Sequence, residues 1–379
     1  MKNKKLNIVF LSYEYPLWAS GGVGTFLQTF GRAMAAEGHG ITILGVGDKR
    51  EEERLDDQGV KLIRISKNES RLPNFLYNSV QLNKRLRALH KEHPIDIIES
   101  AELGLGIISK KHPAKKVIRM HGGHHFFAES ENRGINWRKG KLEKRSFKRA
   151  DAFIAVSHYV KSHTQKYLSY QNKPLAVINY PIDTDITIPK VEVKPNTILF
   201  AGTVCEKKGV RQLIEAFKLV RTKYPKKKLD LYGRDWYYPD GSSYIENLQK
   251  TYDTSYFENV TFHGAVPREE LNRHYAEASL CVFPSHMETQ GLVTLEAMLL
   301  EKPVIFSEYG PGPETIEHVE TGLLCDVYHP KDIAKKIIWY IENPKAAATM
   351  AEKGRKAVLE KYDKNTILKA NIQFYKSLL

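Results

Sequence analysis

Glu288 and Glu296 stand eight residues apart on either side of Gly291. The run Leu280 to Phe283 is apolar and stops at Pro284-Ser285. The run Leu292 to Leu300 has helical spacing and stops at Lys302-Pro303. Strand, loop and helix is the predicted order. A glycine at the turn removes the side chain where backbone must approach a ligand. The unpaired amides of Gly291, Leu292 and Val293, with the helix dipole behind them, suit an anion such as a pyrophosphate. Gln290 borders the same turn. A carboxylate that accepts two hydrogen bonds suits a vicinal diol, so the two glutamates can address a ribose and a hexose. Taken alone this stretch is weak, because glutamates on helix surfaces are commonly just solvated.

Other residues offer compatible chemistry. Lys208-Gly209 follows the strand Thr197–Gly202 and puts a cation in the loop before the next helix. Arg234 follows the strand that ends at Gly233. It is either a second cation for that ligand or the partner of Asp235 in a surface ion pair. His121 ends the strand Lys116–Met120 and leads into Gly122-Gly123-His124-His125. Three histidines invite a metal reading, but no Cys or carboxylate ligand pattern accompanies them, so no metal is expected. Asp183-Thr184-Asp185 also invites a metal reading, but it sits in the linker after Tyr180-Pro181 and is read as turn residues. Gly21-Gly22-Val23-Gly24 lies between the first strand and its helix, and Gly22 and Gly24 suit close backbone approach to phosphate or sugar. The dinucleotide fingerprint is incomplete there: its third glycine is missing and no acid ends the second strand.

The elements that must position these residues alternate. Strand candidates in the first half are Asn7–Ser12, Ile41–Gly45, Val60–Ile65, Ile95–Ser100, Lys116–His121, Ala152–Ser157 and Leu175–Tyr180. In the second half they are Thr197–Gly202, Lys228–Gly233, Val260–Gly264, Leu280–Ser285, Pro303–Ser307 and Leu323–Val327. Many are apolar throughout, as strands buried on both faces should be. Helical patterns such as Thr25–Glu37 and Arg211–Lys223 separate them, which predicts parallel sheets with helical crossovers. Pro181–Asn196, with three prolines, reads as an interdomain linker. The fold class is therefore α/β with two Rossmann-like domains whose parallel sheets face across a cleft. Residues 1–185 form the first domain and 186–360 the second. A C-terminal helix over 361–379 is a candidate to pack back on the first domain. Ligands in such sheets bind beyond the strand C-terminal ends.

Composition narrows the class. With 42% hydrophobic and 27% charged residues, the 379-residue chain reads as soluble and globular. The start Met1-Lys2-Asn3-Lys4-Lys5 looks like a signal-peptide n-region, but the apolar run Ile8 to Leu11 is too short to follow it. No run approaches a spanning helix. Cys205, Cys281 and Cys325 are far apart, which fits a reducing cytoplasm. The net charge of +14 is uneven: residues 1–190 hold 32 Lys and Arg against 19 Asp and Glu. Trp137 to Arg149 concentrates seven basic residues against one acidic, with Trp137, Leu142 and Phe147 interleaved. That helix suits an anionic membrane face or anionic acceptor; the alternative is a solvated helix packed on its own domain. No nucleic-acid reading module is present.

The stretch from Pro284 to Ala297 resembles the signature of the retaining family-4 glycosyltransferases, in which Pro-Ser, Glu, Gly-Leu and Glu-Ala recur with Glu288 and Glu296 spaced E-x7-E. Pro303-Val304-Ile305, Gly310, Glu314 and Thr321-Gly322-Leu323-Leu324 also match, so the resemblance spans nearly the whole second domain. Gly21-Gly22-Val23-Gly24 matches the family's N-terminal loop. The resemblance implies the GT-B fold and transfer of a hexosyl unit from a nucleotide diphosphate sugar, UDP favoured and GDP next, to a glycan, lipid-linked or protein acceptor. No cofactor is implied. It further implies that Glu288 and His121 meet the donor sugar, Glu296 the ribose and Lys208 the diphosphate. Ala265, Val266 and Arg268 stand where the family holds the base. Two departures matter. Gln290 replaces a residue of the usual Gly-Phe-Gly. Thr203 stands where the family has an Arg, and a hydroxyl cannot replace a cationic fork; Arg234 or Lys207 is the candidate compensation. A nucleotide-sugar epimerase and a non-catalytic partner of an active transferase are the rival readings. The cytoplasm is the expected location, with peripheral contact at the inner membrane face.

Overall fold

The computed structural model describes residues 4–18, 21–130 and 134–379. Two compact units result: Met1–Pro181 with Lys364–Leu379, and Ile182–Asp363. No helix among the described residues is long and apolar enough to cross a membrane.

The first unit is built on an eight-stranded sheet. Its strands are β1 (Asn7–Leu11), β2 (Gly40–Val46), β3 (Glu53–Asp57), β4 (Val60–Ile65), β5 (Ile97–Ser100), β6 (Lys115–Met120), β7 (Ala152–Ala155) and β8 (Leu175–Val177). Their order is β3-β4-β2-β1-β5-β6-β7-β8. Every pairing is parallel except β3 with β4. Strands β5 and β7 are buried at every position, as central strands of a parallel sheet covered on both faces should be. The edge strand β3 reads Glu-Arg-Leu-Asp-Asp and is mostly exposed. Charged side chains on an edge discourage pairing with other chains. They also erased the apolar signal, so sequence reading had no strand there. Its helices before the chain enters the second unit are α1 (Gly22–Ala36), α2 (Asn74–Glu92), α3 (His124–Ser130), α4 (Trp137–Arg149) and α5 (His158–Gln165).

The second unit carries a six-stranded sheet, parallel throughout. Its strands are β9 (Lys194–Ala201), β10 (Lys228–Tyr232), β11 (Val260–Gly264), β12 (Ala278–Phe283), β13 (Val304–Ser307) and β14 (Leu323–Cys325), in the order β11-β10-β9-β12-β13-β14. Strand β9 begins at Lys194 and so takes in Pro195-Asn196, which sequence reading placed in the linker. The helices are α6 (Val210–Lys223), α7 (Tyr244–Thr251), α8 (Arg268–Glu277), α9 (Leu292–Leu299), α10 (Gly312–Thr315), α11 (Pro330–Glu342) and α12 (Pro344–Lys361). Where the chain enters and leaves this unit, the Ile182 amide donates to the Tyr362 carbonyl at 3.1 Å.

The last helix, α13 (Lys364–Ser377), belongs to the first unit. A buried polar cluster holds it there. Arg119 on β6 donates to Glu99 on β5 at 2.7 Å, to Asn371 at 2.5 Å and to Tyr375 at 3.0 Å. The Tyr375 hydroxyl donates to Glu99 at 2.5 Å. All four side chains are buried. Burial alone would lower the Arg119 pKa; the Glu99 carboxylate outweighs it and the guanidinium stays charged.

Candidate active site

In the second unit the strand C-terminal ends meet through backbone rather than side chains. Gly233 follows β10 with φ +150, and a Cβ there would lie 1.8 Å from the Gly202 carbonyl oxygen. The Val204 amide donates to the Arg234 carbonyl at 2.9 Å, and Val204 pairs with Asp235 in a short parallel bridge. The loop after β9 then makes a 3-10 turn, Glu206–Lys208, and exits through Gly209 in the left-handed region. A Cβ on Gly209 would lie 1.9 Å from the Pro284 carbonyl oxygen, so only glycine lets the loops after β9 and β12 touch. The His286 amide completes the seam by donating to the Lys207 carbonyl at 2.9 Å.

This seam sets the Lys208 ammonium against Oε1 of Glu288. Ser285 Oγ donates to the same carboxylate oxygen at 3.3 Å. Burial works to raise the Glu288 pKa, but Lys208 outweighs it and holds the group ionised. Three residues on, Gly291 adopts φ +79 and starts α9 with no side chain capping it. Its missing Cβ would otherwise sit 2.5 Å from the Phe306 ring. The amides of Leu292 and Val293 therefore begin a helix with no intrahelical acceptor. Gln290 is 1% exposed, so its side chain belongs to the packed interior of the turn. Glu296 lies one helical turn along α9, is 9% exposed, and accepts from Arg268 Nη2 at 2.9 Å. Burial pushes its carboxyl pKa up while Arg268 opposes the rise. Val266, half-buried, precedes α8 by two residues. The second unit thus gathers Lys208, Glu288, Gly291 and the start of α9 around one seam, and Glu296 on α9 pairs with Arg268 at the start of α8.

Arg234 is exposed, and its side chain forms no ion pair among the described residues. The Asp235 carboxylate is instead used locally, by Ser243 Oγ and by the Ile245 amide at 3.2 Å. The Arg234–Asp235 ion pair is therefore not formed. Arg234 sits beside the Thr203-Val204 backbone, at the end of the loop that carries no cation.

In the first unit His121 ends β6. Its Nδ1 shares a hydrogen bond with the Tyr180 hydroxyl, and the two rings stack with centroids 5.6 Å apart and planes 15° apart. Phe26 closes another side at 5.8 Å. Burial, helped by the Arg119 charge, lowers the imidazole pKa to about 3, so the ring is neutral at ordinary pH. The neighbouring loop rests on two acidic side chains that sequence reading did not single out. Glu102 accepts from the Gly122 amide at 2.8 Å. Glu143 accepts from the His124 amide at 2.7 Å and the His125 amide at 3.3 Å, and pairs with His125 Nδ1. A carboxylate at the first amides of α3 complements the helix dipole. His124 Nε2 accepts from the Asn136 amide at 2.9 Å. Among the described residues no group of three or more His, Cys, Asp or Glu could hold a metal ion. Glu143 was detectable in sequence as the one acid in an otherwise basic helix; Glu102 carried no such mark.

Gly22 opens α1, and space around it is free. The Gly24 amide points to the Glu14 carboxylate at 3.4 Å, and a Cβ on Gly21 would lie 2.2 Å from that same group. Asp183 Oδ1 accepts from the Asp185 amide at 3.4 Å, as in an Asx turn.

Comparison with known proteins bears on the family and the fold. Residues 182–357 match the family model described as glycosyl transferases group 1, and residues 20–186 match glycosyltransferase family 4. The chain is 24% identical over 371 residues to a GDP-mannose-dependent alpha-(1-6)-phosphatidylinositol monomannoside mannosyltransferase of Mycobacterium tuberculosis, covering 92% of each. It is 22% identical over 405 residues to the glycogen synthase of the same organism, covering 98% of this chain and 94% of that one. Among solved structures, the sucrose-phosphate synthase of Thermosynechococcus elongatus superposes with a TM-score of 0.85 at 21% identity, over 99% of both chains. Anabaena HepE in complex with UDP and glucose superposes with a TM-score of 0.77 at 17% identity, over 98% of this chain and 100% of that one. Two parallel-sheet α/β units, the paired Lys208 and Glu288 at the open start of α9, and family matches along both halves lead to one assignment: the chain belongs to the group 1, family 4 glycosyltransferases of GT-B fold.

Proposed function

We propose that this glycosyltransferase moves a hexosyl unit from a nucleoside diphosphate sugar to an acceptor hydroxyl, with retention of anomeric configuration and without a metal. The single observation that carries the reading is the Lys208–Glu288 ion pair at the uncapped start of α9. A cation and unpaired amides at one place stabilise the negative charge that develops on a departing diphosphate. Glu288, kept ionised, orients the sugar by accepting from its hydroxyls. Glu296, already a hydrogen-bond acceptor of Arg268, has lone pairs left for a ribose diol. His121, neutral, offers one N–H or one lone pair to a sugar hydroxyl. As the glycosidic bond breaks, the anomeric carbon gains oxocarbenium character, and the acceptor oxygen enters from the face the diphosphate leaves.

UDP-sugars are the favoured donors, with GDP-sugars next; a GDP-mannose-dependent relative and a UDP-bound neighbour support keeping both. The acceptor is a glycan, a lipid-linked sugar or a protein. A second reading, a nucleotide-binding partner without turnover, rests on Thr203. Both are separated by one screen, in which purified protein is incubated with UDP-, GDP- and ADP-sugars and release of the nucleoside diphosphate is followed. Slow hydrolysis of one donor is expected. Tight nucleotide binding with no release from any donor would favour the non-catalytic partner and sink the transferase mechanism.

A further inference from the structure

Helix α4 carries two different faces. Gly140, Glu143, Ser146 and Phe147 are buried. Phe147 packs on Phe153 with ring centroids 5.1 Å apart. Leu142 lies so close to Gly106 that a Cβ there would be 2.5 Å from Leu142 Cδ1. Arg149 Nη1 donates to the carbonyls of Gly106 at 2.8 Å and Ile108 at 2.5 Å. The helix is thereby fixed rigidly to its unit.

The exposed side chains of the helix beyond Trp137 are all basic: Arg138 and Lys139 in its first turn, then Lys141, Lys144, Arg145 and Lys148 on the face opposite the buried one. Among the described residues none of these six forms an ion pair. The one acid of the helix, Glu143, points inward and is used by the His124 and His125 amides. Some surface cations elsewhere do have partners, as in Lys49–Glu53 at 2.6 Å and Lys353–Glu320 at 2.5 Å. Like charges at i,i+3 and i,i+4, such as Lys141 with Lys144 and Arg145, oppose helix formation. The first turn of α4 holds no acid, so its cations also face the positive end of the dipole. Such a face is relieved by an external anion. A cavity of about 530 Å³ runs along it, lined by Lys110, Lys141, Lys144, Arg145, Lys148 and Arg149.

The leading end of the helix selects the kind of anion. Trp137 is 62% exposed and Ile135 46%. Lys141 Nζ and the Arg138 guanidinium lie 4.9 Å and 5.4 Å from the Trp137 ring centre. A free phosphate has no use for exposed apolar side chains. A tryptophan flanked by cations suits the boundary between lipid headgroups and acyl chains.

We propose that the outer face of α4 is a docking surface for an anionic lipid bilayer, with the Lys110–Lys148 groove holding phosphate headgroups and Trp137 entering the interface. The proposal is independent of donor chemistry, so the experiment below reads it whether or not the transferase mechanism holds. Full-length protein is floated with phosphatidylglycerol–phosphatidylcholine vesicles, with pure phosphatidylcholine vesicles, and with soluble polyphosphate as competitor. Recovery on the anionic vesicles alone is expected, with loss at high salt. The combined variant Lys141→Gln, Lys144→Gln, Arg145→Gln, Lys148→Gln should keep its melting temperature, since these side chains are exposed. Its vesicle partitioning should fall by about a hundredfold or more at low salt. Brominated acyl chains should quench tryptophan emission of the wild type, and Trp137→Phe should remove that quenching. Equal recovery on neutral vesicles, undiminished binding of the quadruple variant, or absence of quenching would each overturn the proposal. Binding of polyphosphate without vesicle recovery would assign the groove to a free anion and overturn it too.

Discussion

The Lys208 ammonium and the Glu288 carboxylate, 80 residues apart in sequence, form an ion pair that joins the loop after β9 to the loop after β12. Neither loop could hold its charge in place alone: Gly209 must approach Pro284 for the two to meet. Each residue therefore serves the other's position as well as the ligand. Lys208→Ala is expected to lower donor turnover by about a hundredfold or more, the range seen when one charge-stabilising donor is removed. Glu288→Gln should do likewise. The double variant should lose far less than the product of the two, because the residues act as a unit. Steady-state rates for the four proteins decide this, and full additivity would contradict the coupling.

Arg234 is expected to supply the cation that Thr203 lacks. Its carbonyl accepts from Val204, which fixes its backbone beside the gap, and its side chain is exposed and unpaired among the described residues. Arg234→Ala should therefore lose activity as severely as Lys208→Ala, with stability unchanged. Thr203→Arg in the Arg234→Ala background should restore part of it. Near-normal turnover in Arg234→Ala would remove this residue from the mechanism.

The legible and illegible parts of the molecule divide on physical lines. Apolar strands such as β7 and β12 announced themselves because burial on both faces demands apolar residues throughout. Strand β3 did not, because its edge position favours charge over apolar packing. Glu288 and Gly291 were weak signals by type and spacing alone, and they and Lys208 became legible through short local motifs that resemble the family signature. Glu102 and Glu143 stayed hidden because their work is done across the fold, on amides 20 and 19 residues away. The cluster of Glu99, Arg119 and Tyr375 spans up to 276 residues, and no local pattern records such a contact.

Glu102 should give the first unit a measurable pH dependence. Burial raises its carboxyl pKa to about 8, with the nearby Glu143 charge adding to the rise. The ordinary value is 4.5. Between those two values the folded chain holds a proton that the unfolded chain has released. Stability contributed by this group is complete below about pH 4.5, declines as pH rises, and is fully lost above about pH 8. Urea midpoints for the wild type should fall between pH 5.5 and 8.5. Glu102→Gln keeps an acceptor for the Gly122 amide but cannot ionise, so its midpoint should fall less over the same range. Identical slopes for the two proteins would count against a protonated Glu102.

The attachment of α13 offers a separate test, on charge burial rather than titration. Glu99 and Arg119 are both buried, with side-chain exposures of 2% and 0%. Glu99→Gln leaves the Arg119 guanidinium in the interior without its counter-charge, and removing one member of a buried pair costs about 3–5 kcal/mol. Thermal unfolding should show that loss in the first unit, and proteolysis should release α13 early. Glu99→Gln combined with Arg119→Met removes both charges, and should be more stable than Glu99→Gln alone. If the double variant is instead the less stable of the two, the cluster holds α13 through the Asn371 and Tyr375 hydrogen bonds rather than through the charge pair.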